Sequence, residues 1–305
     1  MEGVDRLNEL KDEMLVNNIM SRLDCTTKEL INTTATISKR WENVWTQLPH
    51  LIFSDEDDIT DYYYNNEADL HGYISFINNT LNHCPTNLNL KRFKLDMSYN
   101  SLINSEFKSK ANSWIRYAIS RNVEDVDLRL WDVGIGQEFT WERLKCLCLF
   151  RGTLDEDTIQ KILSGSPCLK SLELDDCYGY RRIDVTSRSV KKLVFYDYYY
   201  CDESEMDYID CIKINAPCIS SLSIYGYFEL GLVLLDVSSL IKAELDYFIV
   251  PRTSNDITPE EILRGLLESL DHVKDVIIND FWWEIYSHLK ARGDISNGFS
   301  VLLKS

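Results

Sequence analysis

Apolar residues return along most of the chain in one spacing: an apolar residue, two variable residues, a second apolar residue, one variable residue and a third apolar residue. The alternation over the last three positions is typical of a strand with one buried face. Eight copies occur from residue 90 onward, which is hard to obtain by chance. The copies are Leu90/Phe93/Leu95, Val123/Val126/Leu128, Leu144/Leu147/Leu149, Leu169/Leu172/Leu174, Val190/Leu193/Phe195, Ile219/Leu222/Ile224, Leu240/Ala243/Leu245 and Val273/Val276/Ile278.

Successive copies begin 33, 21, 25, 21, 29, 21 and 33 residues apart. An L-x-x-L-x-L core repeated every 20–29 residues or so is typical of leucine-rich repeats. Pro167 and Pro217 each stand two residues before a copy and fix the bend into its strand. Residues 157–163 and 259–270 have helical spacing. We therefore predict an α/β fold, in which a short N-terminal three-helix domain is followed by an irregular leucine-rich-repeat solenoid.

In each copy the fourth and sixth positions are expected to face the interior, so the third, fifth and seventh form rows on the outward face of the sheet. Such a face suits the binding of another macromolecule. Eight acids and five bases occupy these outward positions, which favours a cargo protein with a basic patch. The tyrosines are equally consistent with plain strand formation. The candidate cargo contacts are Phe150, Glu173, Asp175, Tyr196 and Tyr225.

The first fifty residues follow a different pattern. Apolar residues recur at three- and four-residue steps from Met14 to Leu23, which predicts a helix. A second helix is predicted after the cap candidate Thr26, and a third from Ser38 to Leu48. Three short helices bury little surface by themselves. They need a partner or the following domain to cover their apolar faces.

The composition changes between these helices and the repeats. Four consecutive acids at positions 55–58 and three tyrosines at 62–64 stand among few aliphatic residues. An acidic run of this kind is far more often a solvated loop than a cation site. We therefore predict three regions: a helical domain at 1–53, an acidic, tyrosine-rich linker and capping region at 54–89, and the solenoid at 90–305.

Composition and charge narrow the classes of function. The 305 residues are 45% hydrophobic and 27% charged, which is typical of a folded globular protein. The net charge of −17 disfavours nucleic acid as a partner. The nine cysteines include no C-x-x-C pair, so we expect neither disulfides nor zinc, and mostly buried thiols. The sequence has neither a signal peptide nor a membrane-spanning stretch. We expect a cytoplasmic or nuclear protein with no membrane partner.

No arrangement of residues indicates catalysis. The five histidines are scattered, without an H-E-x-x-H motif. Gly134 and Gly136 form a lone G-x-G, with Phe139 where a dinucleotide fingerprint has glycine. Cys146 and Cys148 share one face of a predicted strand, where a packing or surface role is favoured over a metal. We expect a non-catalytic protein with no cofactor and no metal site.

The stretch Ile37-Ser38-Lys39-Arg40-Trp41-Glu42-Asn43-Val44-Trp45 carries a more specific signal. Together with the apolar residues of the first predicted helix, it closely resembles the plant F-box domain. An F-box followed by irregular leucine-rich repeats resembles the plant F-box/LRR-repeat family, and the likeness extends over nearly the whole chain. The FBD module that often follows in relatives is expected to be missing or truncated, because the sequence ends soon after Trp282-Trp283.

This resemblance implies a substrate-recognition subunit of a Skp–cullin–F-box (SCF) ubiquitin ligase. The F-box would bind a Skp-type adaptor, and through it the cullin-based ligase, while the repeats would bind an unidentified cargo protein. We favour an interface for Leu15 and Ile19, which lie four residues apart on one helical face that so small a domain leaves uncovered. For Trp41, interior packing is equally open. The adaptor-binding residues implied are Leu10, Leu15, Ile19, Leu23 and Trp41.

Two departures from the family pattern keep a second function open. Lys11 follows Leu10 and Asp24 follows Leu23, at positions where family members usually have proline. The alternative is a leucine-rich-repeat interaction module whose degenerate F-box no longer recruits the ligase. A third interpretation is a receptor in which a small molecule completes the cargo site, although no residue requires it.

Overall fold

A computed structural model describes residues 11–23, 25–37, 39, 41–54, 67–97, 105–130, 140–198, 211–249, 257–295 and 301–304. The chain divides into two compact units, residues 1–133 and 134–305. Each unit combines helices with parallel strands. The expectation of a mixed α/β protein is confirmed.

The N-terminal unit begins with short helical segments. The regular α-helix among them starts with a capping box, in which the Glu29 amide donates to Thr26 Oγ1 at 3.2 Å and the Thr26 amide donates to the Glu29 carboxylate at 2.7 Å. The segment before it changes from α to π to 3₁₀ geometry within eleven residues. The segments are α1 (Asp12–Met14), a π-helical turn (Leu15–Ile19), a 3₁₀ turn (Met20–Arg22), α2 (Thr27–Ile37) and a 3₁₀ helix (Trp41–Gln47).

Three parallel strands follow in the same unit. Helices form the crossovers, because parallel neighbours cannot be joined by a tight turn. The Ile52 amide donates to Thr27 Oγ1 at 2.8 Å and so ties α2 to the first strand. The predicted linker region contains a 17-residue helix that the sequence reading did not anticipate. The elements are β1 (His50–Ser54), α3 (Glu67–His83), β2 (Arg92–Asp96), α4 (Ser105–Ser120) and β3 (Asp125–Arg129).

The C-terminal unit contains a larger parallel sheet in the order β4-β5-β7-β9-β11-β12-β13 and a second parallel sheet in the order β10-β8-β6. Between β5 and β11, strands of the two sheets alternate along the chain. The elements are β4 (Cys146–Phe150), α5 (Glu156–Gly165), β5 (Ser171–Asp175), β6 (Arg182–Asp184), β7 (Lys192–Tyr198), β8 (Cys211–Asn215), β9 (Ser221–Phe228), β10 (Gly231–Asp236), β11 (Lys242–Ile249), α6 (Pro259–Ser269), β12 (Asp275–Ile278), α7 (Asp280–Arg292) and β13 (Val301–Leu303).

The eight copies of the apolar spacing coincide with the strands. The last two apolar residues of each copy lie on β2, β3, β4, β5, β7, β9, β11 or β12, and all three residues of every copy are buried. Within the C-terminal unit, Leu147, Leu172, Leu193, Leu222 and Ala243 are aligned in register across neighbouring strands. The predicted register is confirmed.

The uneven spacing of the copies follows from what lies between the strands. In two of the 21-residue intervals, the strand of the copy is followed only by one short strand, which is β6 in one interval and β10 in the other. The 25-residue interval contains the ten-residue helix α5, and the 33-residue intervals contain α4 and α6, of 16 and 11 residues. The predicted helices at 157–163 and 259–270 are therefore confirmed, as parts of α5 and α6.

Aromatic side chains fill the interior of the C-terminal unit near the ends of its longer strands. Tyr180 and Tyr198 meet edge to face with ring centroids 5.4 Å apart, and the Tyr198 hydroxyl donates to the Tyr180 carbonyl at 3.0 Å. Tyr247 contacts Phe228 and Trp282, with centroids 5.2 and 5.0 Å apart. Trp282 is fully buried, so it belongs to the core and cannot serve as an exposed contact.

The cysteines correct one expectation. Of the eight that are described, none of which forms a disulfide, only Cys84 and Cys177 are buried. Cys146 and Cys168 are exposed, and the others are half-buried. The prediction of mostly buried thiols is therefore wrong. For Cys146, Cys148 and Cys211 the reason is that a strand places alternate residues outward whatever their hydrophobicity. None of the described helices is long and apolar enough to cross a membrane.

Candidate functional site

The structure brings all five candidate cargo contacts to the outward face of the larger sheet. Four of them are register partners on β4, β5, β7 and β9, and Asp246 on β11 continues the line. Glu173 lies two residues before Asp175 on the same face of β5. We call the line of register partners the seventh-position row; it consists of Phe150, Asp175, Tyr196, Tyr225 and Asp246.

Two tyrosines stand at the centre of this row. Their rings are stacked, with centroids 4.8 Å apart and planes inclined by 20°. Tyr196 is exposed, while Tyr225 is half-buried. Partial burial raises the pKa of Tyr196, and the neighbouring charges of Glu173 and Asp175 raise it further. The hydroxyl is therefore neutral at physiological pH and can donate a hydrogen bond to a partner.

The aromatic surface extends beyond the row. Strands β9 and β11 each have eight residues, which places Tyr227 and Phe248 on the outward face two residues further along. Both rings are exposed and stack with centroids 5.5 Å apart, and Phe248 also contacts Phe281 at 5.7 Å. The sequence reading missed this second pair because it ended each strand at the seventh position. The alternation that continues in Tyr225-Gly226-Tyr227 was the available signal.

The acids on this face have basic neighbours. Lys192 Nζ lies 3.1 Å from Glu173 Oε1, and Lys242 Nζ lies 3.5 Å from Glu244 Oε2. Lys304, which follows β13, contacts the carboxylates of Glu244 and Asp246. The face is therefore less acidic than the count over the eight copies suggested, because that count did not include Lys304.

A row of left-handed residues forms one border of the face. The residues that follow Phe150, Asp175, Tyr196 and Tyr225 all have positive φ: Arg151 at 55°, Asp176 at 49°, Asp197 at 45° and Gly226 at 85°. Left-handed backbone is costly for residues other than glycine. Side-chain contacts support it, since Arg151 Nε donates to Asp176 Oδ2 at 3.1 Å and Asp197 Oδ1 accepts from the Tyr227 amide at 2.7 Å.

Burial raises the pKa of Asp176, and the nearby charge of Asp197 raises it further. The hydrogen bond and the charge of Arg151 lower this pKa but do not cancel the rise. The two carboxylates disfavour each other's charge, so a cation beside them stabilises the pair. Arg151 supplies that cation and also lies over the Phe150 ring, with its guanidinium carbon 4.7 Å from the centroid. This border is thus fixed by side chains as well as by backbone.

The predicted adaptor-binding residues divide into two groups. Leu15 and Trp41 are buried in the N-terminal unit, so the expectation that nothing covers Leu15 is wrong. Ile19 is half-buried and Leu23 is 50% exposed. Leu10 lies outside the described residues. The helical region has a small core of its own because its 3₁₀ helix contributes the large side chains of Trp41 and Trp45.

Other candidate sites from the sequence gain no support. Cys146 and Cys148 both lie on the outward side of β4, as expected. Among the described residues, no group of three or more histidine, cysteine or acidic side chains is placed to hold a metal ion. The acidic run at 55–58 and the lone G-x-G at 134–136 lie outside the described residues.

A family model built on the leucine-rich repeats of the FBD-associated F-box protein At5g56370 matches residues 112–236. This match covers strands β3 to β10, including most of the seventh-position row. No solved structure matches the chain significantly.

Three curated proteins of Arabidopsis thaliana illustrate the likeness. The F-box/LRR-repeat protein At3g18150 is 29% identical over 96% of this chain and 63% of its own length. The F-box/LRR-repeat protein At5g02910 is 29% identical over 94% of the chain and 62% of its length. The FBD-associated F-box protein At4g13985 is 24% identical over 91% of the chain and 65% of its length.

The chain thus spans less than two thirds of each of these relatives. Each of these matches covers more than nine tenths of the chain. The repeat pattern, its register in the structure and these comparisons agree. The resemblance drawn from the sequence is confirmed: the chain is similar to plant F-box/LRR-repeat and FBD-associated F-box proteins.

Proposed function

We propose that this protein is the substrate-recognition subunit of an SCF-type E3 ubiquitin ligase. In this proposal the N-terminal helices form an F-box that binds a Skp-type adaptor, and the repeats form a leucine-rich-repeat solenoid that binds a cargo protein. The observation that carries it is the likeness to an F-box/LRR-repeat protein over 96% of the chain. The protein would act in the cytoplasm or nucleus and would itself be non-catalytic.

At the adaptor end, the exposed and half-buried apolar residues are the ones we assign to binding. Leu23 and Ile19 present apolar surface to solvent, and burying such surface against a partner is favourable by about 25 cal/mol per Å². Leu15 and Trp41 support this surface from the interior. Leu10 remains part of the proposal by resemblance alone.

At the cargo end, the seventh-position row supplies both aromatic anchors and charge. Aromatic residues tend to dominate interface energies, while charged neighbours fix orientation. The stacked pair Tyr196 and Tyr225 is flanked by Asp175 and Asp246 on the adjacent strands. This arrangement supports a cargo protein with a basic patch.

The second candidate is an interaction module whose degenerate F-box does not recruit the ligase. It rests on Lys11 and Asp24, which replace prolines usual in the family. The backbone of Lys11 has φ of −67° and ψ of 147°, and proline fixes φ near −65°. Lys11 therefore keeps a backbone conformation that proline would also adopt, so the change from proline to lysine leaves the path of the chain at this position as proline would have it.

Co-expression with a plant Skp adaptor tests the proposal. We expect the wild-type chain to co-purify with the adaptor and Leu23→Asp to lose it, because a charge buried in an apolar interface costs several kcal/mol. Ile37→Asp is the matched control, since Ile37 is similarly exposed at the end of α2 and is not assigned to the interface. Absence of the adaptor from wild-type preparations, or equal recovery with Leu23→Asp, favours the degenerate module.

A further inference from the structure

The side chain of Lys304 occupies a site formed by two other strands. Its Nζ lies 2.8 Å from Glu244 Oε1 and 2.9 Å from Asp246 Oδ2, both on β11. The same atom lies 4.9 Å from the centroid of the Tyr225 ring on β9. One ammonium group is therefore held by two carboxylates and an aromatic ring. Hydrogen bonds between charged groups and cation–π contacts are each favourable for an ammonium ion.

The three groups around this ammonium are also held by strand pairing and by contacts of their own. Tyr225 and Asp246 are register partners on adjacent strands, and Glu244 lies two residues before Asp246 on the same face. Tyr225 donates a side-chain hydrogen bond to Glu244, and its ring is stacked on Tyr196. Lys242 is a further cation beside Glu244, at 3.5 Å. We call Tyr225, Glu244 and Asp246 the ammonium cage.

The segment that brings Lys304 to the cage is held by few contacts. Strand β13 has three residues and pairs with β12 alone. Leu302 and Leu303 are both exposed, so only Val301 of this strand is buried. The Lys304 amide adds one main-chain hydrogen bond, to the Ile278 carbonyl at 2.8 Å. A short edge strand with exposed side chains can be replaced by another extended segment, which then pairs with the same edge.

We propose that the ammonium cage is a lysine-binding site on the cargo face, occupied within this chain by Lys304, and that a cargo segment of extended conformation carrying a lysine displaces β13, pairs with β12 and inserts its own ammonium. The proposal rests on the proposed use of this face for cargo, but not on recruitment of a Skp adaptor. The partner is an extended segment of two or three apolar residues followed by lysine, as in Val301 to Lys304. β13 thus regulates the site by competing with cargo in cis.

The experiment uses the full chain and a fluorescent peptide of residues 297–305, whose binding is followed by anisotropy. The wild-type chain should bind the peptide weakly, because its own Lys304 fills the cage. The chain variant Lys304→Gln should bind it at least tenfold more tightly. The same peptide with glutamine in place of its lysine should lose at least tenfold in affinity for that variant. Adding Asp246→Asn to the Lys304→Gln chain should also weaken binding of the lysine peptide.

Circular dichroism and thermal unfolding establish that each variant chain is folded. Leu303→Gln is the matched control chain, since it changes an exposed neighbour on β13 and leaves the cage occupied. Equal binding of the lysine and glutamine peptides overturns the cage, and no binding of either peptide to any chain does the same. Equal affinity of wild type and Lys304→Gln overturns competition in cis. None of these readouts involves the adaptor, so they are independent of the co-purification result.

Discussion

The ring of Tyr225 contacts two groups: it stacks on the exposed ring of Tyr196, with centroids 4.8 Å apart, and the ammonium of Lys304 lies 4.9 Å from its centroid. Tyr225 therefore connects the stacked aromatic pair on the outward face with the charged group of Lys304. Its hydroxyl also donates to Glu244. A single residue thus couples the two kinds of contact that we assign to cargo binding.

Removing both stacked rings should weaken cargo binding. Once a cargo has been identified by proximity labelling, we expect Tyr196→Ala/Tyr225→Ala to reduce its affinity by at least tenfold, because aromatic anchors near the centre of an interface often contribute 2 kcal/mol or so each. Titration calorimetry measures the change. Leu235→Ala, at an exposed position on β10 of the second sheet, is the control that should bind normally. Unchanged affinity in the double variant would move the cargo site off this face.

Core positions of the repeats should be sensitive to truncation. Leu172 is 1% exposed, so Leu172→Ala should lower the free energy of unfolding by about 2–5 kcal/mol through lost burial and a cavity. Leu235 is 47% exposed, and Leu235→Ala should change the free energy of unfolding by no more than about 0.5 kcal/mol. Urea denaturation distinguishes the two. Equal effects would contradict the register of the strands.

Two glycines should respond to alanine in opposite directions. Gly226 has φ of 85°, and an added methyl group would meet the Asp197 carboxylate. Gly226→Ala should therefore lose at least about 1–2 kcal/mol of stability. Gly265, inside α6, has open space around its Cβ direction, so Gly265→Ala should gain about 0.5–1 kcal/mol from helix propensity. Thermal unfolding of the two variants is the measurement, and a stabilising Gly226→Ala would contradict the left-handed border.

Restoring proline at position 11 tests the adaptor surface. The backbone of Lys11 already has φ of −67°, so Lys11→Pro should fold normally. It should raise the free energy of unfolding by about 0.4–1 kcal/mol, because proline lowers the conformational entropy of the unfolded chain. We expect its adaptor affinity to equal or exceed that of the wild type in a quantitative pull-down. Loss of helicity or of binding would show that the lysine, and not its backbone geometry, matters at this position.

The stabilising effect of Lys304 should depend on pH. Burial raises the pKa of Glu244, but hydrogen bonds from Lys304 and Tyr225 and the charges of Lys304 and Lys242 outweigh it, so the pKa is lowered from its usual 4.5. A lowered carboxyl pKa stabilises the fold above the usual value and loses this effect as the pH falls through the folded-state pKa. The unfolding free energies of wild type and Lys304→Gln should differ at pH 7 and converge below pH 4.5. A constant difference would exclude the ion pair.

The sequence was most informative about strands and helices with one buried face, because each of these requires apolar residues at a regular spacing. The L-x-x-L-x-L spacing located eight of the thirteen described strands, because alternate residues of a half-buried strand must be apolar wherever it meets the core. The same spacing also predicts that Phe150, Asp175, Tyr196 and Tyr225 lie on one face. Helices α5 and α6 were found for the same reason, since each has an apolar stripe.

Tertiary contacts decided which apolar residues belong to the core and which distant residues meet. Leu15 is apolar whether it binds an adaptor or a neighbouring helix, and only packing against the segment of Trp41 and Trp45 showed that it is core. The pairing of β12 with β13 joins residues 25 positions apart in sequence, and the approach of Lys304 to Glu244 joins residues 60 positions apart. By itself the sequence determined the eight repeat strands and the residues that they turn outward, because alternation is local. The tertiary structure alone decided which outward charges meet, because that depends on the order and length of strands brought together by folding.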